Sequence, residues 1–290
     1  MTQGVFRVRL DVPTRAADTA LAAALATGVQ GVEIQDQETG GPPPGRVYII
    51  LWHADSADTP NHRRDVAAAL RKGAGADVVV SLETADDGWT ALLAADLEPA
   101  LLGSHFAALP PGATPPPDRR PLWVESGGGF GSGMHPTTAL CVGLLEPFIN
   151  AETRVLDVGC GSGVLALAAL LMGAQSAVGV DIDSVALAAA ARNAAHNGVG
   201  DRARWVEKMP PQTADLVLAN LYPGPLTQLA SDLSRRIEHG GVLIISGFRE
   251  PQRKALEGVY RDHGLHVVDA HSRAGWHGLI LSSRPEAART

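Results

Sequence analysis

The chain has 290 residues, 45% hydrophobic and 19% charged, which excludes a wholly disordered chain. At roughly 150 residues per domain, this length suggests about two domains. Its 24 basic and 31 acidic residues give a formal net charge of −7, the wrong sign for a dedicated nucleic-acid binder and a suitable one for a basic partner.

In chain order, Met1 to Leu10 carries no apolar stretch of the signal-peptide kind. Val5 to Val12 alternates with period two and predicts a strand. Ala16 to Ala26 is rich in Ala and Leu and predicts a helix closed by Gly28. Val29 to Gln35 and Val47 to Trp52 predict strands on either side of the proline-containing loop Gly40 to Gly45. His62 to Lys72 predicts a helix and Asp77 to Thr84 a fourth strand. The order βαββαβ over residues 1–84 is that of a small ferredoxin-like α+β domain. It holds no catalytic constellation, which makes it a candidate recognition domain. Residues 85–120 are expected to be a linker: an amphipathic helix over Gly88 to Leu102, then Pro110 to Pro121, with six prolines in twelve residues and no regular structure expected.

Residues 121–290 carry the chemistry. Strands are predicted at Val155 to Val158, Ala177 to Val180, Arg204 to Glu207, Leu216 to Ala219, Val242 to Ser246, His266 to Ala270 and Leu279 to Ser282. Helices are predicted at Val164 to Met172, Val185 to Asn197 (capped by Ser184), Leu226 to Ile237 and Pro251 to His263. Alternating strands and helices imply an α/β fold with a doubly wound, Rossmann-like parallel sheet, whose ligand lies beyond the carboxyl ends of the strands. Val164 to Met172 is the longest apolar run and is too short to span a membrane, so no membrane partner is expected. Cys141 and Cys160 are too few for a disulfide scaffold or a four-cysteine zinc site; no metal is expected, and a reducing cytoplasm suits them.

The first predicted strand runs into Gly159-Cys160-Gly161-Ser162-Gly163, and Asp181 follows Gly159 by 22 residues at the end of the next strand. Glycines let a backbone approach a ligand closely, and an acidic residue about twenty positions on can accept both ribose hydroxyls. A nucleoside-containing cofactor follows. Val164 stands where the dinucleotide fingerprint needs its third glycine. Asp157, just before the turn, would repel a pyrophosphate and suits a cationic amino-acid group. The combination favours S-adenosyl-L-methionine over a nicotinamide cofactor.

Asp157-Val158-Gly159-Cys160-Gly161-Ser162-Gly163, together with Gly179-Val180-Asp181-Ile182-Asp183, resembles the first two motifs of class I methyltransferases. Phe130-Gly131-Ser132-Gly133-Met134-His135-Pro136-Thr137-Thr138 resembles the F-G-T-G-x-H-x-T-T signature of the family that methylates large-subunit ribosomal protein eleven (PrmA-type). Ser132 replaces the usual threonine. Asn220-Leu221-Tyr222 resembles that family's asparagine motif.

The resemblance covers nearly the whole chain. It implies a cytoplasmic, monomeric protein N-methyltransferase acting on lysine or N-terminal amines of that ribosomal protein, without direct nucleic-acid contact. It implies that Phe130, Thr138, Asp157, Gly159, Gly161, Asp181, Ile182 and Asn220 bind the cofactor, with Asn220 beside the reacting methyl group. His135 is expected to order its loop rather than act as a general base. Trp276 and His277 are expected to be packing residues. The alternatives are a class I methyltransferase acting on another protein, a nucleic acid or a small molecule; a nicotinamide-dependent oxidoreductase; and a non-catalytic cofactor-binding module.

Overall fold

A computed structural model describes residues 5–25, 27, 31–35, 42–54, 59–74, 78–84, 99–125 and 135–284. The chain divides into two compact units, 1–97 and 98–290.

In the first unit the elements run β1 (Val5–Pro13), α1 (Ala17–Leu25), β2 (Gly31–Gln35), β3 (Arg46–Ala54), α2 (Thr59–Ala74) and β4 (Val79–Thr84). The four strands form one antiparallel sheet in the order β2-β3-β1-β4. Alternation in β1 buries Val8, Leu10 and Val12, which join Ile49 and Leu51 of β3 with Ala20, Ala24, Val66 and Leu70 of the helices in the core. Gly28, expected to close α1, lies outside the described residues.

The second unit opens with a small sheet: β5 (Ala100–Leu102), β6 (Phe106–Leu109) and β7 (Arg120–Trp123), in that order. Of the helix expected over Gly88 to Leu102, residues 88–98 lie outside the described residues, and Ala100–Leu102 is a strand. Pro121, expected in irregular chain, sits in β7 opposite Ala107. A proline is tolerated there because β7 is an edge strand and the missing N–H interrupts no outer ladder. Leu102, Phe106 and Leu122 are fully buried and join the core beneath α3 (Pro136–Leu145).

The main sheet has seven strands: β8 (Arg154–Val158), β9 (Ser176–Val180), β10 (Ala203–Val206), β11 (Ala214–Asn220), β12 (Ile237–Arg249), β13 (His266–Arg273) and β14 (Trp276–Ser282). Their order is β10-β9-β8-β11-β12-β14-β13. The first five are parallel, and β14 pairs antiparallel with both β12 and β13. The sheet is therefore mixed: five strands are parallel, as expected of a doubly wound fold, and the two closing strands form an antiparallel hairpin. The β13–β14 connection is a tight hairpin through Ala274 and Gly275, both at positive φ, and a connection that short can only return antiparallel.

Helices cover both faces. One core layer joins α3 with α4 (Val164–Met172), and the other joins α6 (Pro223–Gln228), α7 (Ala230–Arg235) and α8 (Glu250–Asp262). The helix expected from Leu226 to Ile237 is two short ones, because Leu229 closes α6 and opens α7. Gly240 and Gly241 lie inside β12 rather than ahead of it. Strand β8 is buried on both faces from Val155 to Val158, Asp157 included.

A polar clasp fixes the segment after β7 to α5 (Ser184–His196). Asn193, fully buried, accepts from the Glu125 backbone N–H at 2.9 Å and donates to the Ser162 carbonyl at 3.0 Å. Asn197 accepts from the Trp123 N–H and donates to its carbonyl. Glu125 also accepts from Arg192 and pairs with His196. Replacing Asn193 with Ala strands the Glu125 and Ser162 groups in the interior. Thermal or denaturant unfolding of Asn193→Ala is expected to show a loss of about 2 kcal/mol.

Candidate active site

The site lies at the carboxyl ends of β8, β9 and β11, where α3 also begins. Gly159, Gly161 and Gly163 all adopt positive φ (73°, 52° and 81°), which L side chains rarely adopt. The turn is held from below: the Gly159 and Cys160 amides donate to the Val180 carbonyl at 2.8 and 3.0 Å. It is also crowded from above. A Cβ at Gly159 would collide with the Leu221 side chain, and one at Gly163 would meet the Trp205 ring. The Trp205 ring lies over Gly179 as well, so a tryptophan on β10 requires glycines on both neighbouring segments.

Asp181 stands at the tip of β9. Its Oδ2 accepts from the Gly161 amide at 2.9 Å, and its Oδ1 accepts from the Asp183 amide at 3.0 Å. The carboxylate is thus aimed before any ligand arrives, and each oxygen keeps a lone pair for a hydroxyl donor. Asp183, not the expected Ser184, caps α5: its extended backbone lets Oδ1 accept from the Val185 amide at 2.8 Å. Ile182 is 96% exposed, a large apolar side chain held out beside the Asp181 carboxylate. An apolar side chain, a carboxylate and a glycine turn without side chains together fit a nucleoside: a face for the base, acceptors for the sugar hydroxyls and close backbone approach.

Asp157 is 1% exposed at the end of β8. Burial, reinforced by the charge of Asp181, pushes its carboxyl up to about 7, although the Ala166 amide donating to Oδ2 at 3.2 Å opposes this. An acid this costly to ionise in isolation suits a site that receives a cation. Cys160 and Cys141 are both free and buried; burial pushes the Cys141 thiol up to about 12 and the Cys160 thiol well above its ordinary value, so neither is a thiolate nucleophile.

Asn220 ends β11. Its Nδ2 donates to Thr137 Oγ1 at 3.1 Å, and Thr137 Oγ1 lies 2.7 Å from His135 Nδ1. His135 caps α3, with Nδ1 accepting from the Thr137 amide at 3.3 Å. The His135 ring meets Trp276 edge-on at 4.8 Å between centroids, and the Arg249 guanidinium lies 4.6 Å over that indole. Next to them His277 stacks on Phe248 and pairs with Glu250 at 3.2 Å. Burial, then the Arg249 charge, holds His135 below the ordinary histidine range.

Gly159, Gly161, Asp181 and Ile182 therefore gather at the ends of β8 and β9, with Asp157 buried at the end of β8, and Asn220 ends β11 next to Leu221, whose side chain packs on Gly159. Thr138 is buried and its amide bonds back to the His135 carbonyl. Phe130 lies outside the described residues. Sequence reasoning missed Thr137, the residue that contacts Asn220, and Trp276 packs edge-on against His135. The available signal for Thr137 was its helical offset: it and Thr138 are neighbours in the first turn of α3 and must point in different directions.

The carboxylate at Asp157 yields a stability test. Its folded-state pKa is raised, so the native protein binds more protons than the unfolded chain between the ordinary aspartate value and about 7. Its contribution to stability therefore falls as pH rises through that window and is most unfavourable above it. Asp157→Asn is expected to melt higher than the parent chain at about pH 8 without cofactor, with the gain shrinking towards pH 4. Differential scanning calorimetry across pH checks this.

Comparison with known proteins places this architecture. Residues 5–284 match the family model described as ribosomal protein L11 methyltransferase (PrmA). A ribosomal protein L11 methyltransferase of Pseudomonas paraeruginosa (strain DSM 24068 / PA7) is 35% identical over 297 residues, covering 97% of this chain and 99% of the relative. A protein of the same description from Saccharophagus degradans is 33% identical, covering 93% and 96%. The crystal structure of a ribosomal protein L11 methylase from Lactobacillus delbrueckii subsp. bulgaricus superimposes with a TM-score of 0.57 at 28% identity, over 63% of this chain and 96% of that one.

Proposed function

Since the chain belongs to the ribosomal protein L11 methyltransferase family, and is a methyltransferase, we propose that it transfers methyl groups from S-adenosyl-L-methionine to amino groups of ribosomal protein L11. The observation that carries this reading is the pairing of two features at the carboxyl ends of β8, β9 and β11. A preorganised nucleoside cradle at Gly159, Gly161 and Asp181 adjoins a single uncharged amide, Asn220, held by Thr137.

Asp181 would accept the ribose hydroxyls and Ile182 would cover the adenine. Asp157, below the turn, would face the amino-acid end of the cofactor, whose positive charge keeps the carboxylate ionised. Phe130 and Thr138 complete the expected set of contacts. The bound cofactor supplies an electrophilic methyl group on a sulfonium. The chain must then align the nucleophile and keep it unprotonated. A lysine amine in water has a pKa of about 10.4, and desolvation and nearby positive charge both lower it. Arg249, seated over Trp276, would supply such a charge. Asn220 Oδ1 would accept an N–H of the amine and point its lone pair at the methyl carbon. No side chain is assigned as a general base.

The net charge of −7 suits a basic protein substrate. The ferredoxin-like first unit is assigned the recognition of that substrate, because the reacting groups all lie in the second unit.

Intact-mass spectrometry of unmethylated ribosomal protein L11, incubated with this protein and S-adenosylmethionine, is expected to show gains in whole methyl steps. Asp181→Ala is expected to weaken cofactor binding by about tenfold or more. A chain starting at Glu98 is expected to keep cofactor binding and lose L11 methylation. No mass gain with cofactor bound would overturn the substrate, and an unchanged dissociation constant for Asp181→Ala would overturn the cradle.

A further inference from the structure

Thr137 is 3% exposed, so the protein must satisfy its hydroxyl. Two partners flank it: His135 Nδ1 at 2.7 Å and Asn220 Nδ2 at 3.1 Å. A hydroxyl has one proton to give, so this chain of three can run with either polarity. In one, Asn220 Nδ2 donates to the hydroxyl and the hydroxyl donates to a bare Nδ1. In the other, a proton on Nδ1 is donated to the hydroxyl, which then donates to Asn220 with its Oδ1 turned inward.

The backbone decides between them. The Thr137 amide, fixed in the first turn of α3, donates to the same Nδ1 at 3.3 Å. A ring nitrogen facing that N–H must carry a lone pair, so the first polarity holds and the imidazole proton sits on Nε2. The Asn220 amide is thereby oriented with its nitrogen towards Thr137 and its oxygen away from it.

We propose that Thr137 and His135 are positioning residues for methyl transfer: neutral His135, through the Thr137 hydroxyl, turns Asn220 Oδ1 towards the methyl acceptor and so selects an acceptor that donates an N–H. This rests on the reaction proposed at Asn220. Protonation of His135 reverses the chain. The amide then presents N–H groups to the acceptor, and these engage the lone pair that must attack the methyl carbon.

Among the described residues, Arg249 at the end of β12 is the charged group acting on the His135 ring. Glu250 beside it is paired with His277 of β14, Trp276 meets the ring uncharged, and Asp157 lies buried at the end of β8. The segment Pro136–Leu145 carries no charge. The cation acting on the ring favours the neutral form that the relay needs.

The test uses the full chain, saturating S-adenosylmethionine and ribosomal protein L11. Thr137→Val keeps the side-chain shape and removes the hydroxyl. It is expected to lower kcat by about tenfold or more with the cofactor dissociation constant unchanged, and Thr137→Ser is expected to restore most of the rate. His135→Asn still offers an acceptor to the Thr137 amide and hydroxyl but does not titrate. In the parent enzyme the acid limb of log kcat against pH is expected to steepen from slope one, set by the substrate amine, to slope two where His135 protonates. In His135→Asn the limb is expected to stay at slope one.

An active parent enzyme with Thr137→Val at full kcat, or His135→Asn retaining the steeper limb, overturns the relay. Should Thr137→Val fail to fold, the His135→Asn profile decides alone. A parent chain that binds cofactor but leaves L11 unmethylated overturns the proposed substrate instead.

Discussion

The hydrogen bond from the Gly161 amide to Asp181 is the constraint around which the second unit is arranged. It spans 2.9 Å and ties the turn after β8 to the tip of β9. For the amide to point that way, Gly161 must sit at φ 52°, a left-handed conformation that costs other residues of order 1 kcal/mol. Once it is made, the turn carries its amides and the carboxylate on one side. Trp205 then closes over Gly163 and Gly179, and Leu221 over Gly159. The glycines are thus fixed by two different demands: backbone direction at the turn, and the absence of a Cβ where a large side chain must pass.

Most of the second unit was legible in the sequence because each element announces itself locally. Val164 to Met172 is a helix with the expected ends, bounded by Gly163 and Gly173, both at positive φ. The strands at β8 and β9 read as apolar runs because both faces of a parallel sheet are buried. The failures share a cause. The break at Leu229 between α6 and α7 and the strand at Pro121 are set by partners distant in sequence. Local propensity carries no record of those partners.

The site divides in the same way. Gly159, Gly161 and Asp181 form a spacing pattern, and a spacing pattern can be read from one sequence. Thr137 and Trp276 lie 83 residues before Asn220 and 56 after it, by subtraction of their positions. Thr137 meets Asn220, and Trp276 meets His135, only when β14 returns beside β12 and α3 packs across the sheet. Asp183 displaced Ser184 as the cap of α5 for a local reason, the extended backbone that the end of β9 imposes on it.

The charges of the site are sorted along the direction of the proposed reaction. Asp157 and Asp181 carry the negative charge, both near the glycine turn. Among the described residues, the cation acting on His135 is Arg249, seated over Trp276. A methyl transfer from a sulfonium to an amine must bring two groups together that are both cations in water, and one has to surrender its charge before the bond can form. In that proposal, carboxylates near the donor would favour retaining its charge, and a guanidinium near the acceptor would favour losing a proton. Asn220, uncharged and with its oxygen turned outward, can then hold the amine without stabilising its protonated form as a carboxylate would. An aspartate in its place would bind the ammonium more tightly and react more slowly, because ground-state stabilisation of the wrong protonation state raises the barrier. The choice of a neutral amide at the end of β11, with its orientation supplied by a buried hydroxyl, follows from that electrostatic requirement.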